Sequence, residues 1–319
     1  MFNWTKQGLV FETARQGVGG WMCHSALTPT PYLLNEAVIR VYAGFRDDDG
    51  ISRIGYVDVD AGDPTRIVQV SAKPVLDLGR DGCFDDHGII LGDVVEAPGG
   101  MHLFYVGFQR VAKAKFLAFS GLAISTDGGN HFQRVQETPI LDRAPGRSTI
   151  AAIHSARWEG DRWRLWYAVG DDWEAIDGRP YPRYHIRHVE TDDLRAIPRA
   201  DHTCLTPQGS EYRIGRPRVY SIDGRYVMYF TRGNVTGEYF PGVAVSEDGM
   251  TWTRHDELLG VTLSDSGWDA RTLCYPALIQ HRDRVWMFYN GNDMGVDGFG
   301  VARAALDNHR FGEGFHAAG

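Results

Sequence analysis

One short phrase recurs five times in this chain at nearly fixed spacing: a polar turn, then alternating apolar and aromatic residues, then glycine. The copies run Glu36–Gly44, Gly100–Gly107, Asp161–Gly170, Asp223–Gly233 and Asp283–Gly291, and their closing glycines lie 63, 63, 63 and 58 residues apart. Such a regular period marks stacked supersecondary units rather than independent domains.

Each phrase alternates with a period near two and is rich in Val, Tyr, Phe and Trp, which suits a pleated, half-buried strand. An apolar run precedes it, as in His87–Val95 and Leu273–Ile279, and another follows, as in Gly121–Ser125, Gly242–Ser246 and Gly300–Arg303. A weaker fourth run appears at Phe132–Val135 and Trp252–Arg254. Four short antiparallel strands repeated five times predict an all-β, five-bladed β-propeller, each blade a four-stranded antiparallel sheet, because radial repetition leaves only short, protected edges. The whole of 1–319 is expected to be one domain, with blades near 15–72, 73–138, 139–200, 201–258 and 259–310. The fourth strand of the last blade is supplied either by Gly8–Phe11 or by Phe311 onward, and the N-terminal choice is the more economical because it latches the ring.

A net charge of −8 argues against nucleic-acid and anionic-membrane partners, which favour a basic face. The N-terminus lacks a basic-then-apolar signal pattern and no apolar run approaches spanning length, so a cytoplasmic protein is expected. Cys23, Cys83, Cys204 and Cys274 are scattered without CxxC spacing, which indicates neither a zinc knuckle nor a disulfide framework.

In a propeller the first strand of each blade lines the central channel, and the residues just before it converge on one mouth. Counting back 22 residues from the closing glycines gives Met22, Asp85, Ser148, Glu211 and Asp269; counting back 20 gives His24, His87, Ile150, Arg213 and Arg271. The loops after the glycines add Arg46, Asp47, Asp48 and Asp49, then Arg110, Asp171, Asp172, Trp173, Asn234, Asn292 and Asp293. The Asp47–Gly50 run reads more readily as a solvated turn than as a site. Trp173, placed on a long loop, is a candidate sugar-stacking platform.

The Asp-Gly turns, the aromatic second strand and the endings Ser125-Thr-Asp-Gly and Ser246-Glu-Asp-Gly make the chain resemble the five-bladed glycosidase superfamily: arabinanases and β-xylosidases, invertases and levansucrases, and β-mannoside phosphorylases. Val41–Gly55 is particularly similar to the first blade of the phosphorylase group. The resemblance implies a sugar-binding funnel and glycosidic cleavage by paired carboxylates, one protonating the leaving oxygen. Where arabinanase-like members carry those carboxylates, however, this chain has Thr28, Leu91, His154, Arg216 and Tyr275.

The catalytic candidates are therefore positional: Asp85, Asp86, Glu211 and Asp269, with Glu211 the expected proton donor if burial raises its pKa. His24, Arg46, His87, His154, Trp173, Arg213, Arg271 and Asn292 are the expected substrate-binding residues. Guanidinium groups match phosphate and carboxylate, so a small anionic sugar, a sugar phosphate or a nucleotide sugar is favoured over a neutral polymer. The expected activity is that of a glycoside hydrolase or phosphorylase without a cofactor. Two alternatives stay open: a non-hydrolytic sugar-modifying enzyme holding a divalent metal on His24, His87 and His154, and a sugar-binding propeller without catalysis.

Overall fold

The computed structural model describes residues 2–13, 20–307 and 309–312. Among them lie twenty strands and almost no helix, the exceptions including two short 3-10 turns at Asp256–Leu258 and Asn292–Met294. Each repeated phrase forms the second strand of an antiparallel set of four. The first set is β2 (His24–Asn35), β3 (Val38–Arg46), β4 (Ser52–Asp60) and β5 (Ile67–Val70). The second is β6 (Ile89–Ala97), β7 (Gly100–Val111), β8 (Ala114–Ser125) and β9 (Gln133–Arg134). The third is β10 (Ile150–Glu159), β11 (Arg162–Ile176), β12 (Arg179–Thr191) and β13 (His202–Leu205). The fourth is β14 (Glu211–Ile222), β15 (Arg225–Asn234), β16 (Tyr239–Ser246) and β17 (Thr253–Arg254).

The fifth set, β18 (Cys274–His281), β19 (Arg284–Asn290) and β20 (Phe299–Ala305), is completed by β1 (Thr5–Phe11), which pairs with β20 from Thr5 opposite Arg303 to Phe11 opposite Phe299. The N-terminal strand thus fills this place; Phe311 bridges Ile222, and the chain beyond 312 lies outside the described residues. The repeat-drawn boundary at 200 falls short of β13, which lies beyond it.

First strands pack on first strands around the molecule: β2 on β6, β6 on β10, β10 on β14, β14 on β18, and β18 back on β2. The second strands are buried on both faces because each set stacks on its neighbours; Tyr42, Phe104, Trp166, Phe230 and Phe288 are all fully enclosed. The closing glycines have a steric reason. A Cβ on Gly107 would lie 2.5 Å from the Asp85 side chain, and one on Gly291 would lie 2.2 Å from the Trp268 carbonyl oxygen, since the segment leading into each first strand folds across the end of the second.

The Ser-x-Asp-Gly turns join neighbouring sets. Ser125 Oγ donates to Asp127, which accepts from the backbone N–H groups of Asn130 and His131, and the Ser246–Asp248 turn repeats the pattern. These bonds hold both aspartates far below the usual carboxylate range. From the preceding set, Tyr42 donates to the Gly129 carbonyl at 2.9 Å and Trp166 Nε1 to that of Gly249 at 2.8 Å.

Candidate functional site at the channel mouth

The three carboxylates aligned by the repeat share a structural fate. Asp85 accepts from Tyr105 Oη at 3.1 Å and Arg134 Nε at 2.7 Å; Asp269 accepts from Tyr289 Oη at 3.0 Å and meets Lys6 Nζ at 2.6 Å. Glu211 takes both outer nitrogens of Arg254 at 2.9 Å, and Arg232 lies at 3.5 Å. In every case the nearest cation, Arg134, Lys6 or Arg254, comes from the fourth strand of the same set: β9, β1 and β17. These are clasps tying the lead-in of a set to its outermost strand, and Asp85 and Asp269 are almost fully buried within them.

Glu211 corrects the expectation of a raised pKa. Burial does push its carboxyl up, but the Arg254 hydrogen bonds, the Gln208 N–H and the two arginine charges more than offset it, leaving it below its ordinary value. A carboxyl held ionised in a bidentate pair is a poor proton donor.

Other expected ligands also meet local duties. Asn292 Oδ1 accepts from the N–H groups of Arg271 and Thr272 while its Nδ2 donates to the Gly267 carbonyl, so its amide is spent on the turn. Arg271 is exposed and pairs with Asp293 at 2.6 Å. Trp173 is not on a loop: β11 and β12 continue as a projecting hairpin in which Trp173 sits opposite Pro182. Arg179 and Lys115 join that hairpin to the one formed by β7 and β8, through the Ala114 carbonyl and the Tyr181 ring. Asp47 accepts from the N–H groups of Asp49 and Ile51 and from Arg53, which makes its run the turn anticipated above.

The metal alternative loses its geometry. Among the described residues no group of three or more His, Cys, Asp or Glu side chains is placed to hold a cation. His154 instead turns its Nδ1 toward Arg216, a cation itself, at 3.0 Å.

The axis of the ring is where the five sets depart from regular pairing. Each first strand breaks register at its equivalent point: between Leu27 and Thr30, Leu91 and Asp93, Ile153 and Ser155, Gly215 and Arg218, and Cys274 and Ala277. Thr28, Arg216 and Tyr275, each followed by proline, take left-handed φ values of 54°, 54° and 58°. Such backbone costs on the order of 1–3 kcal/mol per residue and persists only where its surroundings enforce it. Gly92 occupies the second-set bulge because a Cβ there would lie 2.3 Å from the Ile153 carbonyl oxygen.

Arg216 fills this axis. It donates to the carbonyls of Leu91, Gly92 (3.0 Å) and Thr28 (3.3 Å), to Thr30 Oγ1 at 2.8 Å and to His154 Nδ1, bridging three other sets without meeting a carboxylate. Burial, reinforced by the Arg218 charge, pushes it down to about 9. Arg218 beside it is neutralised by Asp93 at 2.5 Å.

Tyr275 links the axis to the mouth, standing near enough to Arg216, Arg46 and Arg213 to interact electrostatically with each. Arg213 lies under a box of phenols, its guanidinium carbon 4.7 Å from the Tyr239 ring centroid, 4.9 Å from Tyr212 and 5.9 Å from Tyr184. The Nε atoms of Arg46 and Arg213 are buried without a hydrogen-bond partner, and neither residue has a carboxylate among the described residues. Burial, with Arg110 nearby, lowers the Arg46 pKa. On the same side, His24 pairs with Arg46 across β2 and β3, and His87 Nδ1 donates to Asp86 Oδ1 at 2.6 Å. Asp86 also caps the Gly82 N–H, and the His87 side chain is 44% exposed.

Of these groups the repeat found Arg46, Arg213, Asp86 and His87. It missed Tyr184 and Tyr239 as site residues. Their positions after the second strand or at the start of the third vary from set to set, which leaves no aligned signal.

The ring of antiparallel sheets is an arrangement found in other solved structures. Solved structures similar over nearly the full chain include one described as a glycoside hydrolase (TM-score 0.69, 15% identity, 98% of this chain and 93% of that one). Another is from the GH130 family of mannoside phosphorylases, which contains glycoside hydrolases that target β-1,2 mannosidic linkages in Candida mannan (TM-score 0.68, 14% identity, 99% and 97%). A third is a glycosyl hydrolase from Bacteroides ovatus (TM-score 0.67, 15% identity, 99% and 96%). At these identities the likeness establishes the fold. No family model matches the chain. The uncharacterized protein Rv1502 of Mycobacterium tuberculosis strain ATCC 25618 / H37Rv is 30% identical over 305 residues, 94% of this chain and 98% of the relative, and MT1551 of strain CDC 1551 / Oshkosh matches equally. The chain belongs to the family of these two proteins.

No helix among the described residues is long and apolar enough to cross a membrane.

Proposed function

We propose that this chain is a five-bladed β-propeller enzyme of the glycosidase and phosphorylase kind, acting on a small sugar that carries an anionic group. The observation that carries the reading is the pair of guanidinium groups, Arg46 and Arg213, at the mouth without carboxylates. A desolvated cation is costly unless it is compensated, so two of them beside one tyrosine fit a ligand that brings the counter-charge. Sugar phosphates, nucleotide sugars and acidic sugars supply it; neutral polymers do not. The phenol box suits the sugar ring and its hydroxyls. No cofactor is assigned. With Asp85, Glu211 and Asp269 committed to clasps, Asp86 with its exposed His87 is the pair left for proton transfer in this reading. Four free thiols suit a reducing, cytoplasmic setting.

The test is calorimetric titration with sugar phosphates, nucleotide sugars, sugar acids and neutral oligosaccharides, with products followed by mass spectrometry. Anionic sugars are expected to bind and to be converted, and His87→Gln to abolish conversion without loss of binding. Preference for neutral oligosaccharides would sink the reading. Binding without any conversion would favour the second reading, a sugar-binding propeller, which the commitment of three carboxylates to clasps supports.

A further inference from the structure

We infer that His154, held in place by Arg216, is a fixed hydrogen-bond donor at the floor of the channel and that it recognises a carbonyl or carboxylate oxygen at the end of the sugar that enters first. The inference rests on the carbohydrate reading above and adds to it the group that is read at the bottom.

Three observations carry it. The Arg216 guanidinium can only donate, so His154 Nδ1 must accept and the imidazole proton resides on Nε2. Nε2 has no hydrogen-bond partner among the described residues, and the side chain is buried with only 6% of its residue surface exposed, so its N–H is left seeking an acceptor. Behind it stands a guanidinium hydrogen-bonded to carbonyls, a hydroxyl and the imidazole but to no carboxylate, and its charge favours an oxygen rich in negative charge over an alcohol.

The charged groups around the ring are Arg216 and Arg218 from β14, Asp93 from β6, which Arg218 neutralises, and the Tyr275 phenol from β18; β2 contributes only the uncharged Thr28 and Thr30. Burial first, then the two arginine charges, holds the imidazole well below its ordinary value, so it stays neutral through the physiological range and donates rather than exchanging protons. Arg216 acts through His154 and is a positioning residue.

The experiment is nitrogen-15 NMR of the full chain labelled on histidine, recorded from about pH 5 to pH 8. One imidazole, assigned by its loss in His154→Gln, is expected to remain the neutral Nε2–H tautomer throughout and to shift its Nε2 signal on addition of glucuronate but not of glucose. His154→Gln, which keeps a donor, is expected to weaken glucuronate binding by less than about threefold and His154→Leu by about tenfold or more. A proton on Nδ1, a titrating His154, or equal losses for the two variants would overturn the inference. Should glucose and neutral oligosaccharides bind with glucuronate no better, the carbohydrate reading survives and this inference fails. Should no sugar of any kind bind while the tautomer holds, the carbohydrate reading fails and the recognition role with it. Arg216→Lys, which keeps the charge and loses the fork, is expected to free the tautomer; an unchanged tautomer there would remove Arg216 from its role.

Discussion

At the lead-ins to the first strands, Asp85, Glu211 and Asp269 each meet a cation from the outermost strand of their own set, whereas on the channel side Arg46, Arg213 and Arg216 meet no carboxylate. The first group repeats from set to set; the second does not. A charge that recurs with the period is answered by a partner that recurs with it, which is what a structural device requires. A buried charge that appears once and meets no carboxylate is costly, and in the reading proposed above a ligand brings its counter-charge. In this ring the period marks the scaffold, and the departures from it mark the candidate site proposed above.

The largest expected effect breaks a clasp. Asp85→Ala leaves Arg134 and the Tyr105 hydroxyl without their acceptor and should cost about 3 kcal/mol in urea denaturation, at the low end for a buried pair because Arg134 is 20% exposed. A loss of ligand binding with unchanged stability would instead return Asp85 to the site. On the other side of the comparison, Arg213→Met should weaken anionic-ligand binding by roughly ten- to a hundredfold while changing the denaturation midpoint little, since it removes a buried cation that has no carboxylate together with its contacts to the Tyr184, Tyr212 and Tyr239 rings. A strongly destabilised Arg213→Met would show that the phenol box is structural.

Glu211 offers a pH test with a definite sign. Its carboxyl is depressed in the folded state, so the pair contributes stability above the unfolded value of about 4.3 and loses it as pH falls through the lower folded value. The wild-type midpoint should therefore drop more steeply on acidification than that of Glu211→Gln, and turnover should survive the substitution. Abolished turnover in a fully folded Glu211→Gln would restore the proton-donor role. The smallest effect belongs to Arg80→Gln: its bidentate pair with Glu137 is open to solvent on both sides, and no change in midpoint is expected.

The all-β architecture was legible because alternation and closing glycines are local consequences of burying a strand on both faces. The latch was legible only as one of two options, Gly8–Phe11 or Phe311 onward, because either segment offers a strand and the pairing edge is set by tertiary contact. The site was legible only in part. Counting from the glycines named Arg46, Arg213 and His87 as ligands and set Asp86 beside Asp85, Glu211 and Asp269 as catalytic candidates, because equivalence was taken as convergence on the channel. Trp173 was read as loop because strand length beyond the glycine has no mark in a pattern whose period ends there.

By itself the sequence determined the repeat, the strand order within each unit and the residues that sit at matching stations, because these follow from side-chain periodicity and backbone sterics along one segment. The tertiary structure alone decided which charges are answered. Arg254 is 43 residues from Glu211, Arg134 is 49 from Asp85 and Lys6 is at the far end of the chain from Asp269, while Arg216 reaches partners up to 188 residues away and still finds no carboxylate. Whether a buried charge is a strut or a binding group depends on what folding brings beside it, and Coulomb energy depends on distance in space rather than along the chain.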